Sequence, residues 1–181
     1  MARIFLAIPI PCEIKDQIRS VKSANTQLEN MRWTPEENLH LTIYFIGQVP
    51  NDLSATVTAQ IMKLMKDQVA FVLEFDRLFL TPLSKPEMIW LRMKHSDNFK
   101  TLFYRVHSEL VQFIPFLKID HPDPVPHITL ARFKSSFDAK RISFPAMDRF
   151  KLDINGCELW ESVKTKEGTK YERMQEFHFL K

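Results

Sequence analysis

The sequence predicts an α+β fold, with helices on the outer faces of antiparallel sheets. Three observations predict it. Strand-like and helix-like segments follow in the order strand, helix, strand, helix, strands, helix, strands. The helical segments carry apolar residues on one face, as helices that cover a core do. A tetrad of the form His-aliphatic-Thr-aliphatic occurs twice, each copy at the start of a strand-like run and one in each half of the chain.

Residues 3–9 (RIFLAIP) read as a buried first strand. Pro11 opens a helical pattern with Ile14, Ile18, Val21 and Leu28 on one face, and Trp33-Thr34-Pro35 breaks it. Residues 39–46 (LHLTIYFI) alternate and are rich in β-formers, so they read as a strand ending at Gly47. Asn51 or Asp52 is placed to cap a second helix through about Asp67, with Leu53, Val57, Ile61, Leu64 and Met65 as its apolar positions. Residues 70–80 and 87–93 read as strands. Over 97–113, Phe99, Leu102, Phe103, Val106, Leu110 and Phe113 recur at helical spacing, with Asp97 as a cap. Three prolines at 122, 124 and 126 enforce an extended loop leading into a strand at 127–133. The remainder reads as strands near 150–162 and 171–180 joined by a polar turn around Gly168. Asn155-Gly156 is a hairpin signal, but its flanks are short for paired strands, so one strand with a bulge is expected.

Composition narrows the function. The 181 residues, 45% hydrophobic with 15 Phe, suit one domain that buries a sizeable core, and no composition shift marks a boundary within 1–181. A net charge of +3 permits a polyanionic partner without demanding one. Cys12 and Cys157 form neither a disulfide framework nor a zinc motif. The N-terminal apolar run is too short to span a bilayer and is followed closely by acidic residues, so a cytoplasmic protein with no membrane partner is expected. No glycine-rich phosphate loop is present, which excludes nucleotide binding by a P-loop.

The chemistry lies in the duplicated tetrad. Of six histidines, two have Thr at the second position after them: His40-Leu41-Thr42 and His127-Ile128-Thr129. Side chains two apart on a strand share a face, so each copy sets an imidazole beside a hydroxyl while Leu41 and Ile128 point into a core. If the two strands meet, one pocket holds two imidazoles and two hydroxyls. That set suits phosphate-ester chemistry without a metal. One imidazole takes a proton from water, the other gives a proton to a leaving alkoxide, and the hydroxyls bond phosphoryl oxygens. A lone His-x-Thr is weak, because a single strand histidine is more often packed than catalytic. Two matching copies are a much stronger signal.

Around these motifs the chain resembles the 2H phosphoesterases, specifically the RNA 2′,3′-cyclic phosphodiesterases also called 2′-5′ RNA ligases. The resemblance runs through RIFLAIPIP, RWTPEENLHLTIYFIGQV, MIWL, VPHITLARF, LWESV and EGTKYERMQEFHF. It implies a bilobal fold in which two pseudo-symmetric antiparallel sheets line a central cleft, each lobe supplying one His-x-Thr. It implies that His40 is the proton donor to the departing 3′ oxygen and His127 the acceptor that activates water, leaving a 2′-phosphate. Thr42 and Thr129 would hold the phosphate, Arg132 would contact phosphate or base, and Phe45 would stack on a base. It implies no cofactor and no metal, and as partner an RNA with a 2′,3′-cyclic phosphate end or a small cyclic nucleotide, bound by a monomer. The chain departs from the family in its acidic HPDPVP loop and in Gly156, which interrupts a usually regular strand.

The other histidines, His95, His107, His121 and His178, lack the Thr partner. His121 and Asp123 flank Pro122, but no further ligand stands at metal-binding spacing. Lys164, Lys166, Lys170 and Arg173 read as a solvated turn before they read as phosphate contacts. Two other functions fit the same residues: a 2H enzyme acting on a 2′-5′ oligonucleotide or a nucleotide-sugar cyclic phosphate, and a non-catalytic module that binds RNA ends.

Overall fold

The computed structural model describes all residues except 27, 29, 30, 120, 121, 135–137 and 167. His121 therefore lies outside the described residues. In chain order the elements are β1 (Ala2–Pro9), α1 (Cys12–Ser23), β2 (Met31–Trp33), β3 (His40–Val49), α2 (Asn51–Met65), β4 (Phe71–Thr81), β5 (Met88–Met93), α3 (Asp97–Leu110), β6 (His127–Phe133), β7 (Lys151–Ile154), β8 (Gly156–Thr165) and β9 (Gly168–His178). Single 3-10 turns occupy Glu36–Asn38 and Ala139–Arg141. The fold is α+β, as expected. No helix among the described residues is long and apolar enough to cross a membrane.

The strands follow one path, β7-β4-β5-β6-β3-β1-β8-β9, with β2 pairing β6 at the side. The two antiparallel sheets expected from the sequence are the two halves of this path, and they meet between β3 and β6 through the pair Leu41–Ile128. The halves match strand for strand. In one, β1 leads through α1 to β3; in the other, β5 leads through α3 to β6. Both histidine strands therefore sit at the centre of the sheet.

Alternation sorts the two faces. Along β1, Ile4, Leu6 and Ile8 join the large core with Leu41, Leu91, Ile128 and the apolar stripes of all three helices. Phe5 and Ala7 point the other way and form a small cluster with Trp160. The helices cover the first face and leave the second as a cleft.

Several boundaries differ from expectation for local reasons. Helix α1 ends at Ser23, where the buried amide of Asn25 donates to the carbonyls of Val21 and Ser143 (both 2.8 Å). Leu28 reaches the core from beyond the helix. Strand β3 passes through Gly47, which takes φ +87° at an irregularity opposite Ile4, and continues to Val49. Helix α2 has Pro50 at its N-cap and no side-chain cap, so neither Asn51 nor Asp52 serves as one. Helix α3 is capped by Ser96, whose hydroxyl accepts from the Phe99 amide, while Asp97 sits in the first turn, where its charge suits the helix dipole.

The largest correction concerns 150–162. These residues are two strands in opposite halves of the sheet: β7 pairs with β4, and β8 pairs with β1 and β9. The chain crosses over at Asn155, whose carbonyl accepts from the Phe179 amide. Gly156 is required by close approach, since a Cβ there would lie 2.4 Å from the Phe177 carbonyl oxygen.

Candidate active site

The cleft between the halves has a volume of about 370 Å³ and is lined by His40, Thr42, Phe45, His127, Thr129 and Arg132, with Arg3, Phe5, Thr34 and Tyr171 among the rest. All six residues singled out in the sequence are thus brought together. Strict alternation accounts for only four of them. Positions five residues after each histidine, Phe45 and Arg132, are odd offsets and belong on the opposite face. A bulge at the same place in each motif turns them back. Opposite β1, Thr42 pairs with Ala7 and Tyr44 with Leu6, so Ile43 is the extra residue. Opposite β5, Thr129 pairs with Trp90 and Ala131 with Ile89, so Leu130 is the extra residue.

Each imidazole is tied at Nδ1 to the backbone two residues upstream: His40 to the Asn38 carbonyl and His127 to the Val125 carbonyl, both at 2.7 Å. The carbonyl accepts, so Nδ1 carries the proton and Nε2 is the working nitrogen. His40 Nε2 lies 3.0 Å from the Thr42 hydroxyl. Thr129 is positioned through its backbone, where its carbonyl accepts from the Thr34 hydroxyl at 2.8 Å.

Aromatic rings surround both imidazoles. Phe5, Tyr171 and Trp160 stand around His40 at 5.0, 5.1 and 5.3 Å between centroids. Trp90 lies flat against His127 at 3.6 Å and 17°. Burial against these rings lowers both pKa values, because an imidazolium loses hydration there. For His40 the bond to Asn38 opposes the fall only in part. For His127 burial dominates, the Val125 bond opposes it, and the positive charges of His40 and Arg132 lower it further, to about 4.

Two cations face the cleft. The Arg3 guanidinium stands 5.0 Å over the Phe45 ring, and Arg132 contacts the Met88 sulfur at 2.7 Å. Neither has a carboxylate partner among the described residues, so the cleft presents positive charge. Phe45 is 48% exposed, so much of its ring is open to the cleft.

Sequence reading missed Asn38, Trp90, Trp160, Tyr171, Arg3 and Thr34. Asn38 is buried; its amide donates to the Thr169 carbonyl at 2.8 Å and its side-chain oxygen accepts from the Tyr171 amide at 3.3 Å. These contacts span more than 130 residues, and no local pattern announces them. The Trp90 position carried a signal, since it alternates with buried Ile89 and Leu91 on a strand. Among the described residues the other histidines stay out of the cleft: His107 is bonded to the Tyr44 hydroxyl at 2.7 Å, while His95 and His178 sit beside carboxylates on the surface. Lys170 and Arg173 are paired with Glu172 and with Glu158 and Glu176. Among the described residues no three His, Cys, Asp or Glu side chains gather as a metal cluster would.

A comparison with known families matches residues 10–162 to the 2′-5′ RNA ligase superfamily. The chain belongs to that superfamily. It is an enzyme family of phosphoesterases, and the two His-x-Thr motifs at the cleft are those quoted above for the 2H resemblance. The chain is similar to the RNA 2′,3′-cyclic phosphodiesterase of Thermotoga maritima, at 26% identity over 98% of this chain and 95% of that one. It is also similar to the protein of that name from Methanocaldococcus jannaschii, at 23% identity over 97% and 99%. Among solved structures, apo LigT of E. coli aligns with a TM-score of 0.81 at 23% identity, over 99% of this chain and 98% of that one, and shares the fold.

Proposed function

We propose that the protein hydrolyses RNA 2′,3′-cyclic phosphate ends to 2′-phosphomonoesters, with His40 as proton donor and His127 as proton acceptor. One observation carries the reading: two imidazoles, each locked at Nδ1 by a backbone carbonyl, leave Nε2 free to act in one cleft of about 370 Å³ that two threonines also line. His127 is the more strongly depressed of the pair, partly by the charge on His40. A pair that holds one proton keeps it on His40 and leaves His127 free to accept.

The step balances with these groups alone. Water gives a proton to His127 Nε2 as its oxygen bonds phosphorus. The bond from phosphorus to the 3′ oxygen breaks, and His40 Nε2 protonates that oxygen. Thr42 and Thr129 donate to the phosphoryl oxygens, where charge builds. Arg3 and Arg132 attract the anion. With a 5′-hydroxyl in place of water, the same transfers join two strands through a 2′-5′ linkage.

The activity named for the Thermotoga, Aquifex and Methanocaldococcus relatives supports this reading. So does a related LigT structure that holds 3′-AMP. The test is turnover of an oligonucleotide ending in a 2′,3′-cyclic phosphate, in excess EDTA, with 2′- and 3′-phosphate products resolved. The expected product is the 2′-phosphate. A 3′-phosphate product, or dependence on an added divalent ion, overturns the reading.

A further inference from the structure

Beside the catalytic cleft lies a second cavity of about 390 Å³, and its walls are apolar. It is lined by Tyr44, Trp90, Phe99, Phe103, Ile119 and Val125, and it shares Thr42, Phe45 and His127 with the cleft. Phe45 therefore stands as a ridge between two pockets, with an exposed ring that faces both. The reaction proposed above needs only the cleft. An apolar cavity that opens onto the reacting position is unexplained by it.

We propose that this cavity binds the nucleobase of the nucleotide immediately upstream of the cyclic phosphate, so that the enzyme reads a two-nucleotide RNA end. The inference rests on the proposed function. Consecutive bases in a single strand are one sugar-phosphate unit apart, so a phosphate held at His127 and Thr42 puts neighbouring bases into adjoining pockets. Aromatic walls with little polar surface suit a flat π-face and are tolerant of base identity. The charge at the mouth suits a phosphodiester. Lys118 lines the cavity, is exposed and has no carboxylate partner among the described residues. The one carboxylate in the lining, Asp123, is neutralised by Lys100 at 3.0 Å.

The experiment compares kcat/KM for a mononucleotide 2′,3′-cyclic phosphate, a dinucleotide ending in the same group, and that dinucleotide abasic at its upstream position. The native enzyme should favour the intact dinucleotide by about 5- to 150-fold, the range for stacking one base on aromatic side chains. The abasic form should lose that advantage. Ile119→Trp, at a half-buried position outside the catalytic groups, fills the cavity; it should erase the preference and leave mononucleotide turnover within about twofold. The abasic comparison needs no variant, so a misfolded Ile119→Trp protein does not rescue the idea. Equal turnover of all three substrates by the native enzyme overturns the inference and leaves the proposed function standing. Loss of mononucleotide turnover in an Ile119→Trp protein whose unfolding midpoint is unchanged overturns it too, by placing the terminal base in this cavity. Failure of the native enzyme on every cyclic phosphate overturns the proposed function itself.

Discussion

The two histidine motifs occupy equivalent places in the sheet, yet their surroundings differ. His40 pairs with Pro9 across β1, and His127 pairs with Arg92 across β5. Both rings donate to a carbonyl two residues upstream. What fixes that carbonyl is different. Asn38 is held by its own buried side chain, which fastens β9 at two points. Val125 sits between Pro124 and Pro126, so the chain's covalent geometry holds it. The rings around the imidazoles differ too: three tilted or edge-on aromatics near His40, one flat indole on His127. Duplicated geometry has delivered two nitrogens to one place, and unequal packing has made them unequal bases.

The sharpest break of this comparison is to remove each ring. His40→Ala and His127→Ala should each lower kcat by about 10²- to 10⁴-fold, with melting temperature little changed because both rings line a cleft. A cyclic substrate whose 3′ oxygen is replaced by sulfur separates the roles, since a thiolate leaves without protonation. It should rescue His40→Ala and leave His127→Ala inactive. Rescue of His127→Ala instead would exchange the two assignments.

The threonines come next. Thr42→Ala and Thr129→Ala should each cost about 10²-fold in kcat, as one lost transition-state hydrogen bond does. Thr42 also touches His40 Nε2, whereas Thr129 has no such bond to His127. Thr42→Ala should therefore displace the pH profile as well, and Thr129→Ala should scale it without displacement.

These residues were legible because His-x-Thr on a strand needs only period-two geometry. Phe45 and Arg132 were placed by resemblance, while their orientation depends on paired bulges at Ile43 and Leu130 that no local pattern signals. The helices were legible from their apolar spacing, their caps less so: Pro50 preceded the expected Asn51 or Asp52, and Ser96 preceded Asp97. The split of 150–162 into β7 and β8 was hidden, because a strand's sequence does not name its partner. Asn38 was hidden for the same reason, since both of its side-chain contacts lie on β9.

The unequal supports predict unequal stability costs. Asn38→Ala removes the two side-chain hydrogen bonds that fasten β9, at about 0.5–1.5 kcal/mol each. It should also lower kcat, because the carbonyl that orients His40 loosens. Pro126→Ala should cost only about 0.4–1 kcal/mol, through chain entropy. Denaturant unfolding of the two variants checks this, and a larger loss in Pro126→Ala would reverse the contrast.

The smallest effect is a shift of pH limbs, and it tests which ring is which. The productive form has His40 protonated and His127 neutral. In the free enzyme both pKa values lie below the ordinary histidine value, His127 at about 4. The profile of kcat/KM should be a bell whose acid limb follows protonation of His127 and whose alkaline limb follows deprotonation of His40. Bound phosphate is anionic and favours both imidazolium forms, so the optimum for kcat should lie at higher pH than that for kcat/KM. Trp90→Leu removes the indole that covers His127. Hydration of the imidazolium then improves, the pKa rises, and the acid limb should move to higher pH. Trp160→Leu relieves His40 in the same sense and should raise the alkaline limb, widening the bell where Trp90→Leu narrows it. Measurement across pH 4 to 9 decides the matter. If Trp90→Leu moves the alkaline limb and Trp160→Leu the acid one, then His127 is the donor and the order of the two proton transfers is reversed.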